Sequence, residues 1–396
     1  MCGIAVHFQA LGQAAPLDLE LIHHRGPDSR GEWKSPDGRC WLGNTRLAIV
    51  DLSPTGGQPM TDPATGNIIV VNGEIYNHRA LREKLGPNVD WRGTSDTETL
   101  LVGYARWGHD VLNHLKGMFA FAIYDAARGE LFLARDRLGI KPLYYTTDPE
   151  GIRAASEVKV LASGPQRITA EAISAYLQWG ACPERQLIYA RVEALPAGHA
   201  MTIASDGQMK TWRYWPSRDA FLSSTDGVVP HLRELIDRAV EEHLLSDVPV
   251  ASFLSGGIDS SVVTALAAQK LANKLQTYSV GFDLADFDET VIAQEIAERY
   301  GSNHHRIQLS EGEVIASVTE AVAKLDLPSV DAINTYIVAR AVAAHGVKVA
   351  LSGLGGDELF GGYPSFRDVP RLRLLATLPR FLRRIIGLAG NQGDRL

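Results

Sequence analysis

Through about residue 195 the chain alternates short apolar runs with turn residues, and the runs have the length and composition of β-strands. "MCGIAVHF", "GNTRLAIVDL", "NIIVVNGEIYN", "GMFAFAIYDAARGELFLARDR" and "PLYYTT" are the clearest, and together they predict antiparallel sheets. Two stretches, "NHRALREKLG" and "SDTETLLVGYARWG", instead repeat apolar residues every three or four positions, so helices should cover those sheets. From about residue 228 the rhythm changes. "VVPHLRELIDRAVEEHLL" reads as a helix, "VPVASFL" as a buried strand, "IDSSVVTALAAQKLANK" as a helix and "LQTYSVGFD" as a strand, and the alternation runs on to "GVKVALSG". Alternation of that kind predicts a doubly wound parallel sheet. The expected fold is an α+β sandwich of antiparallel sheets covered by helices, followed by an α/β doubly wound parallel-sheet domain. The segment between them has no long period, which places a linker near residues 215–228 and the two domains at 1–215 and 216–396. The tail from Arg371, "RLRLLATLPRFLRRIIGLAGNQGDRL", is basic and amphipathic, a helical surface that should pack on something rather than lie on a membrane.

Composition narrows the function classes. Apolar residues at 45% and charged residues at 21% of 396 are globular proportions, which exclude disordered and fibrous classes. A net charge of -7 argues against a nucleic-acid partner. No lysine or arginine precedes Arg25 and no run approaches a membrane span, so a cytoplasmic protein is expected. Cys2, Cys40 and Cys182 are odd in number and widely scattered, fitting neither a disulfide framework nor a zinc site.

Cys2 stands directly behind the initiator methionine. Removal of Met1 would leave its thiol beside a free α-amine of pKa about 8, a base for a thiol of about 8.5; alternatively Cys2 is a small buried hydrophobe. Asn72 and Gly73 follow an apolar run. The dipeptide alone favours a type I′ hairpin turn, and a tight turn would also present an amide and an N–H as an oxyanion hole. Arg46 and Asp96 read singly as a solvated charge and a helix N-cap, and jointly as a clamp for an amino acid's carboxylate and ammonium.

In the second half, "ASFLSGGIDSSVVTALAAQ" is a strand, a glycine turn at Ser255, Gly256 and Gly257, and a helix start near Asp259, a backbone cradle for phosphate. A Walker A loop occurs nowhere. "KVALSGLGGDELFGGY" places a second glycine turn with Asp357 and Glu358 after another strand; Glu358 stands where a dinucleotide fingerprint needs glycine. Asp259 and Asp357 are the natural pair for magnesium on a bound polyphosphate.

"MCGIA", "HHRGPDSRG", "RLAIVDL", "VNGEIYN", "SDTETLL", "GMFAFAIYD" and "ARDRLGIKPLYY" resemble the glutaminase domain of the glutamine-dependent asparagine synthetase family, and the two glycine turns resemble its ATP-pyrophosphatase domain in the family order. The resemblance implies an N-terminal-nucleophile fold in which Cys2 attacks the glutamine side-chain amide, Asn72 and Gly73 stabilise the oxyanion, and Arg46, Leu47, Ala48, Ile49, Val50, Asn72, Gly73, Glu74 and Asp96 hold glutamine. It further implies ATP contacts at Phe253, Leu254, Ser255, Gly256, Gly257, Asp259, Ser260, Val280, Ser352 and Gly353, with Mg2+ at Asp259 and Asp357. Ammonia would then displace AMP from an adenylated carboxylate, aspartate in the principal members, with glutamine, ATP and that carboxylate as small-molecule partners and a homodimer left open. Two departures bear on the acceptor. "SGLGGDE" puts Leu354 where many members have glutamate, and the chain ends 33 residues after Tyr363, so the expectation is either a fragment of a longer protein or a second domain lacking part of its acceptor site. Amidation of another carboxylate, in a surface-polysaccharide precursor or secondary metabolite, and a glutamine- or nucleotide-binding regulatory module are the alternatives.

Overall fold

The apolar runs of the first part become strands buried on both faces, which is why they are apolar almost throughout. The computed structural model describes residues 2–148, 151–162, 167–184, 187–216, 227–271, 274–282 and 290–377. In chain order its first strands are β1 (Gly3–Gln9), β2 (Ser29–Lys34), β3 (Cys40–Arg46), β4 (Met60–Thr61), β5 (Ile68–Ile75), β6 (Gly117–Asp125), β7 (Glu130–Arg135), β8 (Tyr144–Asp148), β9 (Gly151–Ala155), β10 (Glu193–Ala194), β11 (His199–Ile203) and β12 (Met209–Arg213). One sheet has the order β10-β8-β9-β1-β3-β2 and a second β12-β11-β7-β6-β5-β4. Their pairings are antiparallel, with Ala5 of β1 opposite Gly43 on one side and Ala155 on the other.

Alternation along each strand sorts its side chains between layers. Ile4, Val6 and Phe8 of β1 share one buried core with Ile68 and Val70 of β5 and Ala120 and Ala122 of β6, between the two sheets. Ala5, out of phase, joins Trp41 and Val158 on the outer face. Ile69 and Val71 turn the other way, onto Leu81 of helix His78–Leu85 and Leu100 and Leu101 of helix Asp96–Trp107. The sheets are therefore covered by helices, as the periodicity predicts.

Two local readings are corrected. "LAIVDL" does not continue the strand: β3 stops at Arg46, and the Arg46 guanidinium collects the carbonyls of Val50, Asp51 and Ser53 that a sheet partner would otherwise take. Asp51 completes the bend with φ of 56°, a conformation Asp tolerates better than most residues. Asn72 and Gly73 are likewise not a hairpin turn; they lie within β5, opposite Ala120 and Phe119 of β6.

The chain groups into two units, residues 1–250 with 308–349, and 251–307 with 350–396. The linker expected near 215–228 lies mostly outside the described residues, as does the tail beyond Thr377; before that the tail is the helix Pro364–Ala376. The second unit, taken by itself, contains β13 (Val250–Phe253), β14 (Gln276–Phe282), β15 (Asn303–Leu309) and β16 (Val349–Leu351) in the order β15-β14-β13-β16, with β13 and β14 parallel. Three strands step to one side and the fourth lies on the other, so the winding reverses between β13 and β16. Ligands of such sheets bind beyond the strand ends at that reversal. Both glycine turns follow those two strands.

Candidate functional site

Cys2 lies just ahead of β1, half-buried and free of any disulfide. Its Sγ donates to the Leu47 carbonyl at 3.7 Å, which places the thiol against the loop behind Arg46. The Arg25 Nε donates to the Cys2 carbonyl at 3.1 Å, fixing the main chain at the nucleophile. Burial pushes the thiol up from its ordinary range, and Arg46 and Asp96 both lie near enough for their charges to act on it. A neutral buried thiol needs a base before it can attack.

Asn72 is fully buried, and among the described residues neither its amide nitrogen nor its carbonyl oxygen has a partner. An unpartnered buried amide costs about 1–3 kcal/mol, and packing alone does not explain one at this position. Gly73 is required by close approach: a Cβ there would stand 2.2 Å from the Met118 carbonyl oxygen.

Asp96 is the first residue of its helix, not the cap. Ser95 is the N-cap, accepting from the Thr97 N–H, while Asp96 accepts from the Ile75 N–H at 2.8 Å and the Thr97 N–H at 2.9 Å. This ties the helix start to the end of β5 beside Glu74. Burial pushes the Asp96 carboxyl up, against the pull of those N–H donors. Glu74 is pushed up to about 7, chiefly by burial and then by Asp96, with Lys141 opposing. Arg46 is buried, and both of its Nη atoms are spent on loop carbonyls, so its geometry here shapes the loop Leu47–Val50. The structure thus gathers Cys2, Arg46, Leu47, Asn72, Gly73, Glu74 and Asp96 around one end of the sandwich.

Sequence reasoning assigned nothing to Lys141, Arg25 or Glu157. Lys141 is 3% exposed and pushed down to about 8 by burial, with Glu74 opposing and Cys2 within reach of its charge. Its backbone is clamped from both ends, the N–H by Asp136 at 2.9 Å and the carbonyl by Arg135 Nε at 2.7 Å. A lysine inside the apolar run "GIKPLYY" was the available signal.

In the second unit, the turn after β13 has Gly256 at φ of 87°, and the Ser255 and Ser260 hydroxyls meet at 3.1 Å across it. Leu254 is buried and its N–H reaches the Tyr278 carbonyl at 2.9 Å; Phe253 and Val280 are half-buried. The two turns touch. A Cβ on Gly353 would stand 2.6 Å from the Ser260 nitrogen, and one on Gly356 would stand 2.2 Å from the Asp259 carboxylate. Ser352 accepts from the Leu354 N–H at 3.2 Å, Asp357 lies in the first turn of helix Gly356–Phe360, and Leu354 is 83% exposed. Among the described residues no three His, Cys, Asp or Glu side chains group to hold a metal. Two oxygen-only carboxylates at adjoining glycine turns are a donor set that fits magnesium, which takes most of its remaining ligands from phosphate and water.

A glutamine amidotransferase domain family matches residues 1–215 and an asparagine synthase family matches residues 231–392. Glutamine-hydrolyzing asparagine synthetase 1 of Bacillus subtilis is 37% identical, over 98% of this chain and 62% of its own length. Amidase chry2 of Gibberella zeae is 34% identical, over 88% of this chain and 55% of its own. The chain spans less than two thirds of the length of these relatives. A glutamine phosphoribosylpyrophosphate amidotransferase of B. subtilis aligns over 89% of this chain and 90% of its own at a TM-score of 0.41 and 16% identity, too distant to bear on the site. Among the described residues no helix is long and apolar enough to cross a membrane.

Proposed function

Because the chain belongs to the glutamine-dependent asparagine synthetase family, joining a glutamine amidotransferase domain to an asparagine synthase domain, we propose that it hydrolyses glutamine at Cys2 and uses the ammonia to amidate an ATP-activated carboxylate, aspartate first among the candidates. The observation that carries this reading is the orphaned amide of Asn72, buried in the strand that ends beside Asp96, together with a thiol held against the Leu47 carbonyl with Arg46 and Asp96 near enough for their charges to act on it. With Met1 removed, the α-amine of Cys2 takes the thiol proton, and Sγ attacks the glutamine amide carbon. The Asn72 amide, with the Gly73 N–H, stabilises the oxygen that becomes negative. The carbon–nitrogen bond breaks, ammonia leaves with the proton, and water cleaves the thioester to glutamate and the free thiol. Glu74 and Asp96 receive the ammonium of glutamine, and the loop Arg46–Val50 encloses the rest.

In the second unit, the turn Ser255–Gly257 and the start of helix Ile258–Leu271 receive the β- and γ-phosphates. A carboxylate oxygen attacks the α-phosphorus and pyrophosphate departs. Ammonia then attacks the acyl carbon of the adenylate and AMP departs. Asp259 and Asp357 would hold Mg2+, which when bound offsets the charge of the phosphates.

A second reading differs in the acceptor. Leu354 occupies the second glycine turn where many members of the family have a glutamate tied to the second half-reaction, and an amidase is among the relatives. One assay separates the readings: offer the protein glutamine, ATP, magnesium and a panel of carboxylates, and measure pyrophosphate. Aspartate-dependent release supports asparagine synthesis, release with another carboxylate supports the second reading, and no release with any of them removes both.

A further inference from the structure

Arg25 presents its guanidinium edge in two directions. Its Nε holds the Cys2 carbonyl at 3.1 Å and its Nη1 donates to Glu157 at 2.9 Å. Glu157 is 4% exposed and gathers His24 at 2.9 Å and Lys159 at 2.6 Å as well, and these partners hold its carboxyl down to about 2 despite burial. The preceding residue is also tied to the chain start: Ser156 exchanges N–H and hydroxyl bonds with Ile4, at 2.9 and 3.0 Å. Adjacent residues therefore fix both the first strand and the nucleophile ahead of it.

The turn that carries Glu157 is itself capped from far along the chain. Asp326 accepts from the Val158 N–H at 2.7 Å and the Lys159 N–H at 3.0 Å, taking the leading N–H groups of helix Val158–Leu161. Asp326 sits in the connection between helices Glu311–Lys324 and Asp331–Ala343, and that connection is pinned again where the Val330 N–H meets the Gly180 carbonyl at 2.8 Å. Leu327 packs on the same outer core as Val158.

We propose that Glu157 is a positioning residue for the Cys2 nucleophile, acting through Arg25, and that Asp326 sets the place of Glu157, so that the connection 325–330 governs glutamine hydrolysis. The proposal rests on the glutaminase reading given above. Glu157 touches no substrate; it orients the guanidinium that holds the Cys2 carbonyl, and a displacement near 1 Å at a nucleophile lowers rate by about 10²-fold.

The test uses the full chain with Glu157→Gln, Glu157→Asp, Asp326→Ala and the double variant Glu157→Gln/Asp326→Ala. Glutamate release gives kcat and KM for glutamine, iodoacetamide alkylation of Cys2 against pH reports the thiol directly, and ammonia-supported pyrophosphate release reports that the chain is folded. We expect Glu157→Gln to lower kcat by about 10²-fold with KM within about twofold, Glu157→Asp to recover part of the loss, and Asp326→Ala to lower kcat by about tenfold. The double variant should be no slower than Glu157→Gln, because both act through one chain of contacts. The alkylation profile should change in the same variants. Unchanged kcat and alkylation in Glu157→Gln, or losses that multiply in the double variant, overturn the proposal. If Cys2→Ala still releases glutamate, the glutaminase reading fails instead, and the alkylation result continues to judge the positioning role.

Discussion

Glu74 and Asn72 are neighbours in β5 whose burial works against the fold, and each yields a residue-scale prediction. Glu74 titrates at about 7, so between its ordinary 4.5 and about 7 the folded state keeps a proton that the unfolded state has lost. Stability must therefore fall as pH rises through that window. Glu74→Gln should gain on the parent across it in urea titrations, with the two converging below pH 4.5. The catalytic consequence runs the other way, since an ammonium is received by the ionised carboxylate. KM for glutamine should rise about tenfold per pH unit below about 7, and Lys141→Met, which removes the opposing positive charge, should move that break to higher pH. A KM flat with pH would remove Glu74 from the glutamine site. Asn72→Leu replaces the unpartnered amide with an apolar side chain of similar size. It should raise stability by about 1–3 kcal/mol while lowering glutamate release by about 10²–10³-fold. Loss of both stability and activity would mean that the amide is satisfied in solution and is no oxyanion donor.

At the scale of elements, what the sequence showed depended on whether local pattern or distant partners decide. Strands such as β1 and β6 were legible as short apolar runs between turn residues, since burial on two faces leaves them apolar almost throughout, and the helix Asp96–Trp107 by its three- and four-residue spacing. The segment Leu47–Asp51 was not, because its β-type residues are overruled by one arginine that collects three carbonyls. Asn72-Gly73 misled for the converse reason: the dipeptide favours a turn, but β6 pairs straight across it, and glycine is needed so that two backbones can approach. The two glycine turns were legible as separate motifs. That they touch was not, since the contact of Gly356 with Asp259 depends on the strand order β13-β16. Gly356→Ala should therefore displace the Asp259 carboxylate and weaken ATP binding by at least about tenfold, corresponding to about 1.4 kcal/mol of the 1–3 typical for overpacking. Titration with a non-hydrolysable ATP analogue checks it, and unchanged affinity would mean that the turn relaxes without moving Asp259.

At the scale of the whole molecule, the candidate chemistries lie in different units, one around Cys2 and β5, the other at the ends of β13 and β16. The change of rhythm near residue 228 puts a boundary there in the sequence, whereas the units part at residue 250 and residues 308–349 group with the first. The sequence did not show that Asp326, nearly 170 residues from Glu157, would cap the turn bearing it, because a lone aspartate between two helices has no pattern of its own. Separate sites should fail separately. Cys2→Ala removes the only proposed route from glutamine to ammonia but leaves the phosphate turns intact, so pyrophosphate release supplied with ammonium should persist within about twofold while glutamine-supported release falls by at least about 10³-fold, the scale of losing a nucleophile. Asp259→Ala and Asp357→Ala should do the reverse, since each removes one of two carboxylates proposed for magnesium while Asn72, Glu74 and Asp96 keep their places. Glutamate release should then continue near the parent rate as pyrophosphate falls. If instead either aspartate variant abolished glutamate release from a chain still folded by circular dichroism, hydrolysis would require an occupied phosphate site, and a relay such as Asp326–Glu157–Arg25 would have to transmit that requirement rather than merely hold Cys2 in place.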